Sequence, residues 1–167
     1  MKRDSFRQFI LQPAFTECRT IYHKVRCLSG NADDIAQRSG LTDRDWRFLL
    51  TGAKEIELDV GTKILTMNER PTSMYRIKTG ALRVFKPTDD GEHTICVIDT
   101  PGAVVGELSV LGNFGFATAS VACHTTCVLH QMELPFITKL FEREVALARR
   151  FYLSVGNNLA RLLKDIS

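Results

Sequence analysis

Short segments of alternating polar and apolar residues, separated by turn residues, fill the chain from residue 53 to residue 133. Residues 55–60 (EIELDV) alternate in this way, which is the period of a strand with one buried face. Gly61, Gly80 and Gly91 mark turns, and Gly91 completes an Asp-Asp-Gly hairpin signal. Because these strands are not separated by the helical stretches that βαβ units need, the pattern predicts an all-β barrel or jelly roll.

A helix is predicted immediately before the β region, over residues 42–51. Thr42 is a good N-cap, and Trp46 and Leu49 fall on one helical face, which we expect to pack against the rest of the domain.

Helical periodicity returns after the β region, over residues 135–164. Pro135 fits the first turn of a helix, and a break near Glu142 divides the segment into a short helix and a long one. One apolar stripe runs along the long helix, and Arg149, Arg150, Arg161 and Lys164 are expected to point elsewhere. The stripe consists of Leu147, Phe151, Val155, Leu159 and Leu162 or Leu163. It is wide enough to cover the β region or a second copy of itself.

The N-terminal region, residues 1–40, is expected to be helical and to form a unit of its own. Two amphipathic helices are predicted, separated near Pro13. Basic residues exceed acidic ones in this arm. The arm is expected to pack on the β region or on the long C-terminal helix, and a membrane-surface or partner-docking arm is the alternative.

Residues 105–121 (VGELSVLGNFGFATASV) contain the strongest functional signal in the chain. Gly106 allows backbone to approach a ligand closely, and Glu107 can accept hydrogen bonds from sugar hydroxyls. The amides of residues 107–110 would form a short helix N-terminus suited to an anion. A helical segment is predicted only over residues 107–111 of the β region. This arrangement predicts a phosphate-cradling turn.

This stretch resembles the phosphate-binding cassette of cyclic nucleotide-binding domains, and residues 41–164 follow that family's order of elements. The family cassette reads Gly-Glu-Leu-(Ala/Ser), a loop, then Arg, a small residue or Thr, Ala, and Thr/Ser-Val. The Arg pairs with the cyclic phosphate. Here residues 117–121 read ATASV, so Ala117 occupies the arginine position, or Phe116 does if the loop is shorter. No Lys or Arg lies between Lys86 and Lys139.

The resemblance implies a mainly β fold with flanking helices: a cyclic-nucleotide-binding-like β-roll or jelly roll over residues 53–133 within a domain spanning 41–167. The C-terminal helices would correspond to the family's B and C helices, which move when ligand enters and often pair with their twin in a second copy. The protein is therefore expected to be a regulatory domain and a homodimer, or part of a larger signalling protein.

The implied ligand is cyclic AMP or cyclic GMP, bound weakly or not at all, or another small ligand in its place. An unpaired, partly buried phosphate costs about 3–5 kcal/mol, which is roughly a hundred- to a few-thousand-fold in affinity. Thr118 is a residue type that cyclic-GMP-preferring members use to reach the guanine. The expected contact residues are Gly106, Glu107, Leu108, Ser109, Ala117 and Thr118. The alternative is a ligand-independent interaction or dimerisation domain.

A helix-turn-helix over residues 33–46 is a third interpretation. Asp43 and Asp45 would then face DNA phosphates, which disfavours it. The resembling family's transcription regulators carry their DNA-binding module after the long C-terminal helix, and this sequence ends at Ser167. Nucleic acid is therefore not an expected partner.

Composition narrows the remaining functional classes. At 167 residues and 44% hydrophobic content the chain can bury one core, and its apolar runs are too short for a transmembrane segment or a signal peptide. A cytoplasmic location is expected. Strand alternation should scatter Cys123, His124, Cys127 and His130, so no metal site is expected. Motifs of nucleophilic, metal-dependent or P-loop enzymes are absent from the sequence, and no enzymatic activity or resident cofactor is expected.

Overall fold

The computed structural model describes the backbone of residues 40–164, with side chains for residues 40–111 and 115–160. The predicted N-terminal helical region, residues 1–40, therefore lies outside the described residues except for Gly40. The helices are α1 (Asp43–Leu50), α2 (Leu134–Arg143) and α3 (Val145–Lys164). The strands are β1 (Lys54–Leu58), β2 (Lys63–Leu65), β3 (Ser73–Thr79), β4 (Leu82–Thr88), β5 (Gly91–Ile98), β6 (Val104–Val105), β7 (Ser120–Cys123) and β8 (Cys127–Glu133).

Two four-stranded antiparallel sheets form the predicted roll. One has the order β1-β8-β3-β6, and the other has the order β2-β7-β4-β5. Alternate residues of each strand point between the sheets, so the apolar positions of the sequence pattern meet in one interior. Ile77, Leu82 and Leu129 are fully buried there. The mainly β fold with flanking helices is confirmed.

The turn between β3 and β4 requires glycine. Gly80 has φ +91°, and a Cβ at this position would lie 2.5 Å from the carbonyl oxygen of Thr126. Both the positive φ and the close approach exclude other residues without strain. The β3–β4 hairpin can therefore press directly onto the turn between β7 and β8.

The helices lie on a second apolar cluster outside the roll. Met74 and Met132 of the first sheet, Leu49 of α1 and Ile137 of α2 are all fully buried in this cluster. Leu49 confirms the predicted inner face of α1. Phe151 of α3 is also buried there, and its ring centroid is 5.1 Å from that of Phe141 in α2.

The helix boundaries agree with the local signals to within two residues. Thr42 caps α1 reciprocally: its hydroxyl accepts from the Asp45 amide at 3.2 Å, and its amide donates to the Asp45 carboxylate at 2.9 Å. α2 begins at Leu134, with Pro135 in its first turn. The predicted break near Glu142 is found at Glu144, where the backbone leaves the helical region.

The apolar stripe of α3 is only partly buried. Leu147, Phe151 and Val155 face the domain core, whereas Leu159 is 37% exposed. Phe151 is therefore a core residue of the domain and not part of a surface open to a second copy.

Arg150 does not point away from the domain, contrary to the prediction. Its Nε and Nη2 donate to the two carboxylate oxygens of Asp45 at 2.8 and 2.6 Å. Asp45 is fully buried, whereas the Arg150 side chain is 40% exposed. This fork joins α1 to α3 across 105 residues of sequence. The hydrogen bonds from Arg150, opposed by burial and assisted by those from Thr42, lower the pKa of Asp45 to about 2.

The Asp45–Arg150 pair makes stability depend on pH. Because the folded pKa of Asp45 lies below its unfolded value, the contribution is present above pH 4 and is lost as pH falls through about 2. Arg150→Ala should lower the free energy of unfolding at pH 7 by about 2 kcal/mol, since a buried carboxylate loses its partner while solvent already screens Arg150.

Urea denaturation of the full chain at pH 7 and at pH 3 measures the stability lost in Arg150→Ala. This loss should be smaller at pH 3. Arg149→Ala, at the exposed neighbouring position, is the matched control and should change stability little. Equal losses for the two variants would contradict the assignment.

Candidate functional site

The candidate cassette begins at a glycine turn held against the first sheet. β6 pairs with β3, with Val105 opposite Tyr75 and Val104 opposite Arg76. Gly106 follows with φ +81°, and a Cβ there would lie 3.2 Å from the carbonyl oxygen of Ser73. The close backbone approach that the sequence predicted at Gly106 is therefore directed at β3 itself.

A 3-10 helix, Glu107–Phe114, follows the turn. The predicted helical segment, residues 107–111, is thus found at the expected start but extends three residues further and has the tighter 3-10 geometry. The Ser109 amide donates to the Gly106 carbonyl at 3.1 Å, and the buried Ser109 hydroxyl donates to the same oxygen. The amide and hydroxyl protons of Ser109 are therefore used within the turn.

Leu108 faces the helices rather than the roll interior. Leu108, Val110 and Leu111 pack against the cluster that contains Ile137 of α2 and Phe151 of α3. The cassette and the C-terminal helices consequently share one apolar contact surface. A displacement of the 3-10 helix must be accommodated by α2 or α3, because closely packed interiors transmit such shifts.

Glu107 is a carboxylate held in an unfavourable environment. Burial raises its pKa, and its own backbone amide opposes this effect only in part. The residue as a whole is partly accessible to solvent. A buried carboxylate that lacks a strong donor is stabilised by any ligand that brings hydroxyl groups to it.

Ala117 and Phe116, the two candidate arginine positions, face opposite ways. Ala117 is 9% exposed and belongs to the roll interior, while Phe116 is 46% exposed. Ala117 is fixed by two backbone hydrogen bonds: its amide donates to Glu69 at 2.9 Å, and its carbonyl accepts from Asn68 at 2.8 Å. Thr118, the next residue, is exposed. Of the two candidate arginine positions, the inward-facing one is therefore alanine.

A cation that the sequence reasoning missed lies beside the cassette. The loop before β3 brings the Arg70 guanidinium 4.9 Å from the centre of the Phe116 ring. Arg70 also borders an open groove of about 270 Å³. Its lining is completed by Pro71, Ser109, Val110, Gly115, Leu134 and Thr138. Arg70 is 46 residues before Phe116 in the sequence, so no local motif marks the pair.

Contrary to the expected scattering, the side chains of Cys123 and Cys127 lie against each other. Cys123 and Cys127 are buried in the roll interior, whereas His124 is exposed. Burial raises the pKa of the Cys123 thiol to about 12. Among residues 40–164, no group of three or more His, Cys, Asp or Glu side chains is arranged to hold a metal ion. Within the same residues, no helix combines the length and the apolar character needed to cross a membrane.

Comparison with known proteins agrees with this geometry. The cyclic nucleotide-binding domain family matches residues 55–144, which is more than half of the chain. Cyclic GMP-binding protein C of Dictyostelium discoideum is 37% identical over 128 residues, 75% of this chain. Cyclic GMP-binding protein D of the same organism is 25% identical over 83% of this chain. The chain spans only 5% and 13%, respectively, of the lengths of these two relatives.

Solved structures show the same fold. The Thermus thermophilus catabolite activator protein superposes with a TM-score of 0.61 at 21% sequence identity, over 73% of this chain and 57% of that one. The β-roll, the glycine turn with its 3-10 helix and the two C-terminal helices agree with assignment to the cyclic nucleotide-binding domain family. The chain belongs to this family, as the match over residues 55–144 shows.

Proposed function

We propose that the domain is a regulatory module whose cassette binds cyclic nucleotide weakly, because no arginine stands at the family's phosphate-pairing position. The observation that carries this proposal is Ala117, which faces the roll interior at the position of the family's arginine. An anion in a partly buried site without its counter-charge loses about 3–5 kcal/mol. Amides at the start of the 3-10 helix offset part of that loss.

Cyclic GMP is the nucleotide that we propose the cassette prefers. Thr118 is the residue type that cyclic-GMP-preferring members place at this position, and two Dictyostelium relatives are named as cyclic GMP-binding proteins. Glu107 would accept hydrogen bonds from the ribose hydroxyls, which supply the donors that its environment lacks. The proposed contact residues remain Gly106, Glu107, Leu108, Ser109, Ala117 and Thr118.

The proposed signal passes from the cassette to the C-terminal helices. Leu108 and Val110 pack on the same cluster as Phe141 of α2 and Phe151 of α3. A ligand that repositions the 3-10 helix would therefore change the packing of α2 and α3. Since the chain spans a small fraction of its curated relatives, we propose that these helices act on other parts of a larger signalling protein or on a second copy.

An exposed apolar row on α3 favours a second candidate function, ligand-independent self-association. Val145, Tyr152 and Leu159 recur at intervals of seven residues and are 69%, 45% and 37% exposed. Leu153 is also exposed, and a Cβ at Gly156 would meet no atom within 4 Å. We call Val145, Tyr152, Gly156 and Leu159 the α3 row. A seven-residue repeat is the spacing at which two helices pack side by side.

The missing arginine predicts weak nucleotide binding that can be repaired. Calorimetric titration of the full chain should give dissociation constants for cyclic AMP and cyclic GMP no tighter than roughly the high-micromolar range. Ala117→Arg should tighten binding by about a hundredfold, because the new guanidinium enters from the inward-facing position.

Ala117→Gln controls for the longer side chain, since it adds comparable bulk without a charge. Both variants should lose some stability through crowding of the roll interior, which circular dichroism will register. Submicromolar binding by the unaltered chain, or equal affinities of the two variants, would contradict the proposed role of the missing charge.

Glu107→Gln should separate binding from stability. A carboxyl group whose folded pKa is raised favours folding at low pH, and that contribution is lost as pH rises through 4.5 and then through the raised value. The amide variant should therefore be more stable than the unaltered chain at pH 7 and should show a flatter pH profile. Loss of a charged hydrogen bond should weaken cyclic GMP binding by about tenfold or more.

Chemical denaturation between pH 4 and 8, together with nucleotide titration, measures both effects of Glu107→Gln. Glu57→Gln, on the exposed part of β1, is the control and should change neither property. A variant that loses stability at pH 7 would indicate that the Glu107 carboxylate is needed to hold the fold.

The α3 row predicts where self-association would be lost. Leu159→Asp should abolish any dimer seen by analytical ultracentrifugation while changing unfolding stability by less than about 0.5 kcal/mol. Tyr152→Asp should also abolish the dimer, but with a larger loss of stability, because the Tyr152 ring packs edge-on against Phe141 at 5.7 Å. Asn157→Asp adds the same charge at an exposed position outside the row and should leave the dimer intact. Phe151→Ala, in contrast, should destabilise the domain by about 3–5 kcal/mol. A dimer that persists in both row variants excludes this surface.

A further inference from the structure

Arg76 and His130 lie next to each other on the outer face of the first sheet. They are directly opposed residues of β3 and β8. The residues on either side of Arg76 in β3, Tyr75 and Ile77, contact the roll interior. The Arg76 side chain therefore points to the outer face. Its guanidinium carbon is 4.8 Å from the centre of the Trp46 ring of α1. Gly102 also lies close to the guanidinium, since a Cβ built on this glycine would be only 3.3 Å from Arg76 Nη2.

Arg76 is enclosed without a counter-charge from the described part of the chain. Within residues 40–164 its buried Nε has no hydrogen-bond acceptor, and none of the ion pairs found there includes Arg76. Burial lowers the pKa of the Arg76 guanidinium. Arg83 and Arg150, in contrast, each contact a carboxylate at 2.6 Å. A partly buried charge that lacks such a partner is destabilising, and stacking on Trp46 leaves the Nε–H donor unused.

His130 presents a second unused nitrogen. Its Nε2 lies 3.6 Å from the Glu55 carboxylate, whereas its buried Nδ1 has no partner within the same residues. The other charged groups facing the ring are Arg76 and Lys78, both from β3. Burial, followed by the charge of Arg76, lowers the pKa of His130, so the ring is neutral at pH 7 in the absence of an anion.

We propose that Arg76 and His130 form a second ligand site, separate from the cassette, that binds a small oxyanion group such as a carboxylate or a phosphate. The anion would accept hydrogen bonds from Arg76 Nε and from His130 Nδ1, and the Trp46 ring would shield it from water. Arg76 and His130 are on the sheet face opposite the roll interior, and neither is among the proposed contact residues of the cassette.

Binding at this site is coupled to proton uptake by His130. A bound anion offsets the positive charge of Arg76 and accepts from a protonated Nδ1, and both effects favour the charged imidazole over the neutral one. Glu55 on the Nε2 side supports the same protonated state. Affinity for the anion should therefore rise as pH falls from 8 to 6. Each unit by which the anion raises the pKa of His130 gives up to about tenfold in affinity.

Nuclear magnetic resonance of the full chain tests the site through the Arg76 Nε–H and His130 ring signals. Acetate represents a carboxylate and sulfate represents the tetrahedral geometry of a phosphate, and neither probe titrates between pH 6 and 8. We expect saturable shifts at roughly millimolar concentration, with several-fold tighter binding at pH 6 than at pH 8. The tighter of the two probes identifies the chemical source that the site prefers.

Three variants complete the test. Arg76→Gln should abolish saturation, and His130→Gln should remove the pH dependence of binding while keeping the fold. Arg83→Gln, on the other sheet, is the control and should leave both properties unchanged. Absence of saturable shifts with both probes, or identical titrations of Arg76→Gln and the unaltered chain, overturns the proposed site. An unchanged pH dependence in His130→Gln overturns the paired role of the two residues.

Discussion

The pairing of β3 with β8 on one side and β6 on the other is the constraint on which the rest of the domain depends. Through β6 it fixes the start of the glycine turn at Gly106, and through β8 it sets the origin of α2. The two faces of β3 then have different roles. Tyr75 and Ile77 help to fill the roll, while Met74 underlies the helices and Arg76 lies beneath Trp46. One strand thus relates the cassette, the C-terminal helices and the outer face.

Three ionisable side chains show how the same fold treats buried charge differently. Asp45 is fully buried but receives a forked hydrogen bond from Arg150, so its charge stabilises the contact between α1 and α3. Glu107 and Arg76 are desolvated without an equivalent partner among the described residues, and burial disfavours the charged form of each. Buried ionisable groups that lack a partner reduce stability and are commonly found at binding sites. This contrast is the physical basis for both ligand proposals.

The proposed cassette differs from the pattern of the cyclic nucleotide-binding domain family at the arginine position. In the proposed cassette, Ala117 stands in place of the cation that the family uses for the phosphate, and Gly106 and the 3-10 helix would supply the backbone part. Binding energy would then come from hydrogen bonds rather than from an ion pair. The contact of Leu108 with the helical cluster remains, so the proposed coupling to α2 and α3 does not require the missing arginine.

The sequence by itself determined the features that depend on local periodicity and local sterics. Alternation located the roll, glycines located its turns, Thr42 and Pro135 located helix starts, and residues 105–121 located the cassette. Only the tertiary structure decided which distant side chains meet: Arg150 with Asp45, Arg70 with Phe116, and Arg76 with His130. It also decided that Leu159 is exposed although it continues the stripe of Phe151. Periodicity specifies which face of an element is apolar, whereas burial and charge pairing depend on how far neighbouring elements extend and on strand register.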